Sequence, residues 1–302
     1  MGHSQMKLYL IGLFCVIAWG SNFVFGSILV KQFNPEIIAV MRLIFILMFL
    51  YTVTRRQVRG VRLSKRDWLL LAVGGLIGVS FNQWSFYASL QYTDPVTASL
   101  ILALSPIVTV SLSVFYFKEK RRLAFWGGAV IGLCGVWLVI TKGTFFVPSI
   151  GRGELLIAGT MVSFSVLLLL VQHMSKTMNV GVITWYTNLF GLIGLLPFVS
   201  WKAVPSAMNV DWTYWLLLVV TAIVMHGLCT YLWNGVIHEA GASNISLLLN
   251  LEPFIAMIFS CIILQHIISV PQLLGGFIII TGIIVSLRNQ QVQTIPKESS
   301  DA

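Results

Sequence analysis

Apolar runs of about twenty residues recur along this chain, separated by short polar punctuation, and that spacing constrains the fold more than any other feature. A helix needs roughly 20 such residues to cross the hydrocarbon of a bilayer, where every backbone polar group must be bonded within the protein. A spanning β-barrel would show segments of about 10 residues alternating in polarity, and the sequence has none. Composition agrees: 57% of residues are hydrophobic, 10% are charged and the mean hydropathy is +0.89. A soluble domain carries about 25% charge. The expected fold class is therefore an all-α polytopic membrane protein. The runs fall at 8–30, 34–53, 68–90, 95–117 and 123–141, then at 154–174, 180–200, 212–237, 242–265 and 270–288, which predicts ten spans. The tail 289–302, "NQQVQTIPKESSDA", is polar and reads as disordered.

Charge placement orients the spans. With the amino terminus inside, fourteen of the 19 Lys and Arg fall in inside segments, chiefly Arg55–Arg66 and Lys118–Arg122. That bias predicts both termini on the cytoplasmic side of the cell membrane. It also accounts for the net charge of +9 without a nucleic-acid partner. Cys15, Cys134, Cys229 and Cys261 lie singly in apolar runs, so they read as small hydrophobes and no metal site is expected. The first run is too long for a signal-peptide core, and "MGHSQM" lacks the Ser or Thr of a myristoylation signal.

The chain also repeats itself. Residues 88–120 lie over 235–267 without a gap, matching Ser99 with Ser246, Leu104 with Leu251 and Pro106 with Pro253. At the same offset Gly128 meets Gly275 and Gly135 meets Gly282. Five is odd, so two homologous halves of five spans enter the membrane in opposite senses, the plan of inverted-repeat carriers with a site near the midplane. The expected division is 1–143 and 144–288.

"AWGSNFVFG" in the first run, "FNPEIIAVMRLIF" in the second, "TASLILALSPIVTVSLSVFYFKE" in the fourth and "SNISLLLNLEPFIAMIF" in the ninth resemble the EamA branch of the drug/metabolite transporter superfamily. The resemblance runs from about Lys7 to Arg288. It implies ten helices in two inverted repeats around a central cavity, and movement of metabolites such as amino acids, usually outward. Halves of that family commonly end their fourth span with Gly-Glu. Here those places read "FKEK" and "ILQHI", so the second half lacks that acid.

Two ionisable residues lie deep within spans: Arg42, roughly 12 Å into the second, and Glu252, roughly 15 Å into the ninth. Such groups normally face protein or water. They are expected to share the central cavity, as an ion pair direct or through water, or with Glu252 exchanging a proton. Glu252 bracing helices beside Pro253 is the alternative. Pro106 and Pro253 should each remove a helix hydrogen bond and kink their spans. His226, Thr230 and Asn234 recur at i, i+4 and i+8, one polar stripe in the eighth span, and the repeat sets Gln83 and Tyr87 against Thr230 and Asn234. Interhelical hydrogen bonding would explain the same residues. Trp19 and Asn22 in the first span, with Trp185 and Asn188 in the seventh, complete the candidate substrate-binding set. Trp68, Trp201, Trp212 and Trp215 read as interfacial belts.

"HEAGA" at 238–242 lacks the second histidine of a zinc-protease helix, and no nucleophile elbow or phosphate loop occurs, so neither an enzyme nor a cofactor is expected. The expected activity is secondary transport of small amphipathic metabolites by alternating access, with proton coupling through Glu252 one alternative for its driving force. A passive facilitator or channel, or a membrane-embedded sensor, is the competing class. Ten spans can enclose a cavity in a monomer.

Overall fold

A computed structural model describes residues 3–117, 123–144, 150–240 and 246–287. The tail, the basic segment 118–122, residues 145–149 and residues 241–245, where the expected ninth span begins, lie outside the described residues. Among those described, every regular element is helical. In chain order these are α1 (His3–Leu29), α2 (Pro35–Val58), α3 (Lys65–Ser89), α4 (Pro95–Leu102), α5 (Ser105–Phe117) and α6 (Leu123–Ile140). There follow α7 (Arg152–Met174), α8 (Val180–Leu195), the short α9 (Val204–Met208), α10 over 212–240, α11 (Glu252–Leu264) and α12 (Val270–Leu287). Eight helical segments are long and apolar enough to cross a membrane, and two shorter apolar ones follow at Leu248–Leu264 and Val270–Ser286. This is a multi-pass membrane protein.

Helix starts are written locally. Asn34-Pro35 and Asp94-Pro95 place proline in the first turn, where its missing N–H has no intrahelical acceptor to lose. Asp94 caps α4 by accepting from the Val96 and Thr97 N–H groups at 3.1 and 2.9 Å. Ser64 and Asp67 form a reciprocal capping box at the start of α3.

Three irregularities interrupt the long helices. The middle of α3 widens into a π-helical segment at Leu76–Phe81, and α10 does the same at Thr221–Leu228. The fourth span is broken between α4 and α5, and in the ninth a 3₁₀ segment, Ser246–Leu251, gives way to α11 at Glu252. Pro106 and Pro253 are thus the second residues of new half-helices rather than kinks in continuous ones. At that position a proline costs no hydrogen bond and its fixed φ favours the first turn. The π-helical segment also spoils the polar stripe expected in the eighth span. His226 lies inside the wider turn and Thr230 beyond it, so the 3.6-residue period does not carry from one to the other.

Glycines set the tightest helix contact. A Cβ on Gly282 would lie 2.6 Å from the Gly128 carbonyl oxygen, and one on Gly135 would lie 2.7 Å from that of Gly275. Backbones therefore meet where α6 crosses α12, as small residues allow in lipid. At the end of the bundle where α1 finishes, an apolar cluster that includes Leu29, Phe33, Ile37, Leu90 and Leu218 fills the space between helices. Phe33 meets Trp215 edge-on at 5.0 Å, so Trp215 belongs to this plug and not to a surface belt. Trp68, Trp201 and Trp212 are exposed. Beside the plug, Gln272 Nε2 donates to Asp94 Oδ1 at 3.1 Å and to Thr97 Oγ1 at 3.3 Å, joining the start of α12 to that of α4.

Candidate functional site

Arg42 is the eighth residue of α2 and, at 1% exposure, among the most buried large side chains of the protein. Its position follows from helical period: Ile38, Ala39, Arg42, Leu43, Ile46 and Leu50 form one buried stripe, and the arginine takes a place a leucine could fill. Nη1 donates to Thr221 Oγ1 at 2.5 Å, at the first residue of the π-helical segment of α10. The Thr221 hydroxyl spends its own proton on the Leu218 carbonyl at 3.0 Å, which leaves a lone pair for the guanidinium. The Arg42 Cζ stands 5.3 Å from the centroid of the Tyr87 ring, a cation–π distance.

Around this pair the structure gathers several of the expected residues. Tyr87 is fully buried on α3, and Gln83 precedes it by one turn at 8% exposure. Asn22 of α1 lies beside Tyr87 and His226 of α10 beside Arg42. Phe86 meets Tyr87 edge-on at 5.1 Å and Phe23 at 5.3 Å, walling one side. Asn22 Oδ1, Arg42 Nε, Gln83 Oε1 and the Tyr87 hydroxyl have no hydrogen-bond partner among the described residues. Each buried polar group left unpaired costs about 1–3 kcal/mol. Four such groups on three neighbouring helices, with a buried charge among them, make up the candidate site.

Other candidates lie elsewhere. Trp185 and Asn188 sit on α8, with Trp185 edge-on to Tyr186 at 5.0 Å. The Trp185 Nε1 and Asn188 Oδ1 atoms are likewise buried without partners, while Asn188 Nδ2 donates to the Thr184 carbonyl at 2.8 Å. Trp19 packs edge-on to Trp233 at 5.1 Å, in an apolar cluster with Cys15 and Cys229. Thr230 is half-buried on α10. The Asn234 side chain lies outside the described residues. No direct ion pair joins Glu252 and Arg42 within 4 Å; the described partners of the guanidinium are Thr221 and Tyr87. Glu252 is the first residue of α11, whose first turn presses its backbone on α1. A Cβ on Gly20 would stand 2.8 Å from the Glu252 carbonyl oxygen.

A cavity of about 340 Å³ opens at the end of the bundle where α1 begins, between α1, α2, α8 and α10. Ile11, Leu50, Thr54, Gln57, Thr184 and Tyr231 are among its walls, and no charged side chain lines it among the described residues. Its α2 wall continues the stripe that carries Arg42. Between the two, Phe49 packs on Gly227, where a Cβ would lie 2.8 Å from Phe49 Cδ1. The sequence did not single out Thr221, Thr54, Gln57 or Thr184. Thr221 had one visible signal, as the lone hydroxyl within "LLLVVTAIVM".

Comparison with known proteins bears on what this arrangement serves. The chain is 29% identical over 297 residues to the "Uncharacterized transporter YyaM" of Bacillus subtilis, covering 95% of this chain and 94% of that one. It is 21% identical to the "Probable amino-acid metabolite efflux pump" of Salmonella typhimurium, over 96% and 97% of the two chains. A solved crystal structure of a protein 20% identical shares the fold, with a TM-score of 0.65 over 93% of this chain and 96% of that one. The model of the EamA-like transporter family matches residues 6–141 and again 151–288, nearly the full length, so the chain belongs to the EamA-like transporter family.

Proposed function

We propose that the protein is a secondary transporter in which two inverted five-helix repeats alternate about the Arg42 cluster, moving small amphipathic metabolites out of the cell. The observation that carries this reading is the placement of that cluster. Unpaired polar groups from α1, α2 and α3 lie beneath an apolar plug at one end and above an open cavity at the other. An occluded polar site with access from one end is what an alternating carrier presents in one of its two states.

The repeat reading is supported by irregularities that recur at one offset. The π-helical segments, the helix restarts at Ser105 and Glu252, and the glycines of α6 and α12 all correspond. The Gly128–Gly282 approach maps onto the Gly275–Gly135 approach when the halves are exchanged, as a twofold axis between α6 and α12 would require. Charge placement puts both termini in the cytoplasm of a plasma-membrane protein, so the open cavity faces inward, the loading side of an exporter. The relative named as an amino-acid metabolite efflux pump supports the substrate class. Without a phosphate-binding motif in the sequence, energy comes from a gradient, and Glu252, half-buried at the head of α11, is the proton-exchanging candidate.

The test is counterflow in proteoliposomes loaded with amino acids and related metabolites. A carrier gives saturable uptake accelerated by substrate on the opposite side; a channel gives neither saturation nor acceleration, and a sensor gives no uptake. Replacing Glu252 with Gln should remove the pH dependence of exchange. Unaltered pH dependence in that variant would exclude Glu252 as the coupling group.

A further inference from the structure

The guanidinium of Arg42 stays charged in any protein environment, yet no described carboxylate comes within 4 Å of it. Its neighbours are a threonine hydroxyl and a tyrosine ring, neither of which brings a negative charge. A buried cation held this way is costly unless an anion joins it during the working cycle. Glu252, the other ionisable residue deep in a span, forms no ion pair with Arg42 within 4 Å, which leaves the guanidinium free to meet an anion from outside the protein.

The site limits what that anion can be. One guanidinium balances one negative charge, and the remaining described Lys and Arg lie at helix ends and in loops, so a phosphate dianion would be left half-compensated. The planar fork of arginine matches a carboxylate by two parallel hydrogen bonds. Nε is free among the described residues to supply one of them. Asn22 Oδ1 and Gln83 Oε1 are unpaired acceptors close by, fit for a donor group on the same molecule, and the Phe23–Phe86–Tyr87 wall offers an apolar surface.

We infer that Arg42 anchors a single carboxylate of the transported molecule, with Tyr87 stacked on the guanidinium and Asn22 and Gln83 receiving a hydrogen-bond donor of that molecule. This rests on the transporter reading and names its substrate class: carboxylates of modest size with an apolar body, reaching the site from the uncharged cavity along the α2 stripe.

The experiment measures thermal unfolding of the purified protein in lipid nanodiscs with matched probes, L-leucine and 3-phenylpropanoate against L-leucinamide and 3-phenylpropanamide. The acids should raise the midpoint and the amides should not, a comparison that needs no variant. Arg42→Gln should weaken the apparent affinity for the acids by about tenfold or more. Arg42→Lys, which keeps the charge but loses the fork, should fall between. Equal responses to acid and amide, an Arg42→Gln response like that of the natural protein, or no response to either acid would each overturn the assignment. Counterflow of the same probes separates the two readings. Exchange that accepts amides as well as acids refutes the anchor and keeps the carrier, whereas absence of any trans-accelerated exchange across the metabolite panel refutes the carrier itself.

Discussion

Gln265 closes α11 in a left-handed conformation, with φ of 53°, on a side chain exposed to the surroundings. It stands in the place where related halves carry the glycine of Gly-Glu, and the reason for that glycine is steric: a Cβ in this region crowds the following carbonyl, at about 1–2 kcal/mol for an L-residue. The chain accepts the strain because the turn satisfies the carbonyls at the end of the helix. The Gln265 N–H and the His266 N–H both donate to Ser260, the latter at 3.2 Å. Gln265→Gly should therefore raise stability by about 1 kcal/mol, seen as a higher unfolding midpoint in detergent. A midpoint that falls would show that the glutamine side chain makes a contact worth more than the strain it carries. Arg42 teaches a different lesson at the same scale. Its depth in an apolar run made it conspicuous in the sequence, but its partner could not be read there. Coulomb attraction suggested Glu252, while the fold brings Thr221 and Tyr87 to the guanidinium and sets the backbone of Glu252 against α1.

At the scale of elements, α6 and α12 hold each other by backbone proximity rather than by side-chain interdigitation. In lipid there is little hydrophobic gain in hiding one apolar helix against another, so association depends on close packing, and glycine permits the closest. A Cβ at Gly282 would meet the Gly128 carbonyl oxygen at 2.6 Å and the Gly132 Cα at 2.8 Å, with only backbone on the opposing side to give way. Gly282→Val should destabilise the fold by about 1–3 kcal/mol through overpacking. Gly127→Val in α6 provides the control, since a Cβ there meets nothing within 4 Å. Equal thermal midpoints for the two variants would refute the glycine contact. Helix positions were largely legible, because apolar runs, Asn-Pro and Asp-Pro starts and the serine-aspartate capping box are local signals. The π-helical turns of α3 and α10 were not, since "LIGVSF" and "TAIVMHGL" read as ordinary helix. Their wider turns shift His226 out of line with Thr230. The prolines misled for a related reason. A proline inside an apolar run signals a kink or a fresh start equally well, and the break just before each one decides for the start.

For the whole molecule the two ends are not alike. At the end where α1 begins, Thr184 lines the cavity and is half-buried, whereas Ile37, only two residues into α2 from the opposite end, is 3% exposed beneath the Phe33–Trp215 contact. Depth along a helix therefore does not set accessibility; the plug does. This asymmetry can be read by thiol chemistry, because the native cysteines are easily managed: Cys15 and Cys229 are buried, and only Cys134 and Cys261 are exposed and need replacing by alanine. In that background a membrane-impermeant maleimide should label Thr184→Cys in inside-out vesicles and leave it untouched in intact cells, while Ile37→Cys stays unlabelled from both sides. Substrate cycling should reverse the pattern in part, protecting position 184 and opening position 37 to reagent outside the cell, since one site that alternates between two faces cannot expose both at once. Label reaching Ile37→Cys in the resting protein as fast as Thr184→Cys would mean a continuous path through the bundle, and the carrier would give way to a channel.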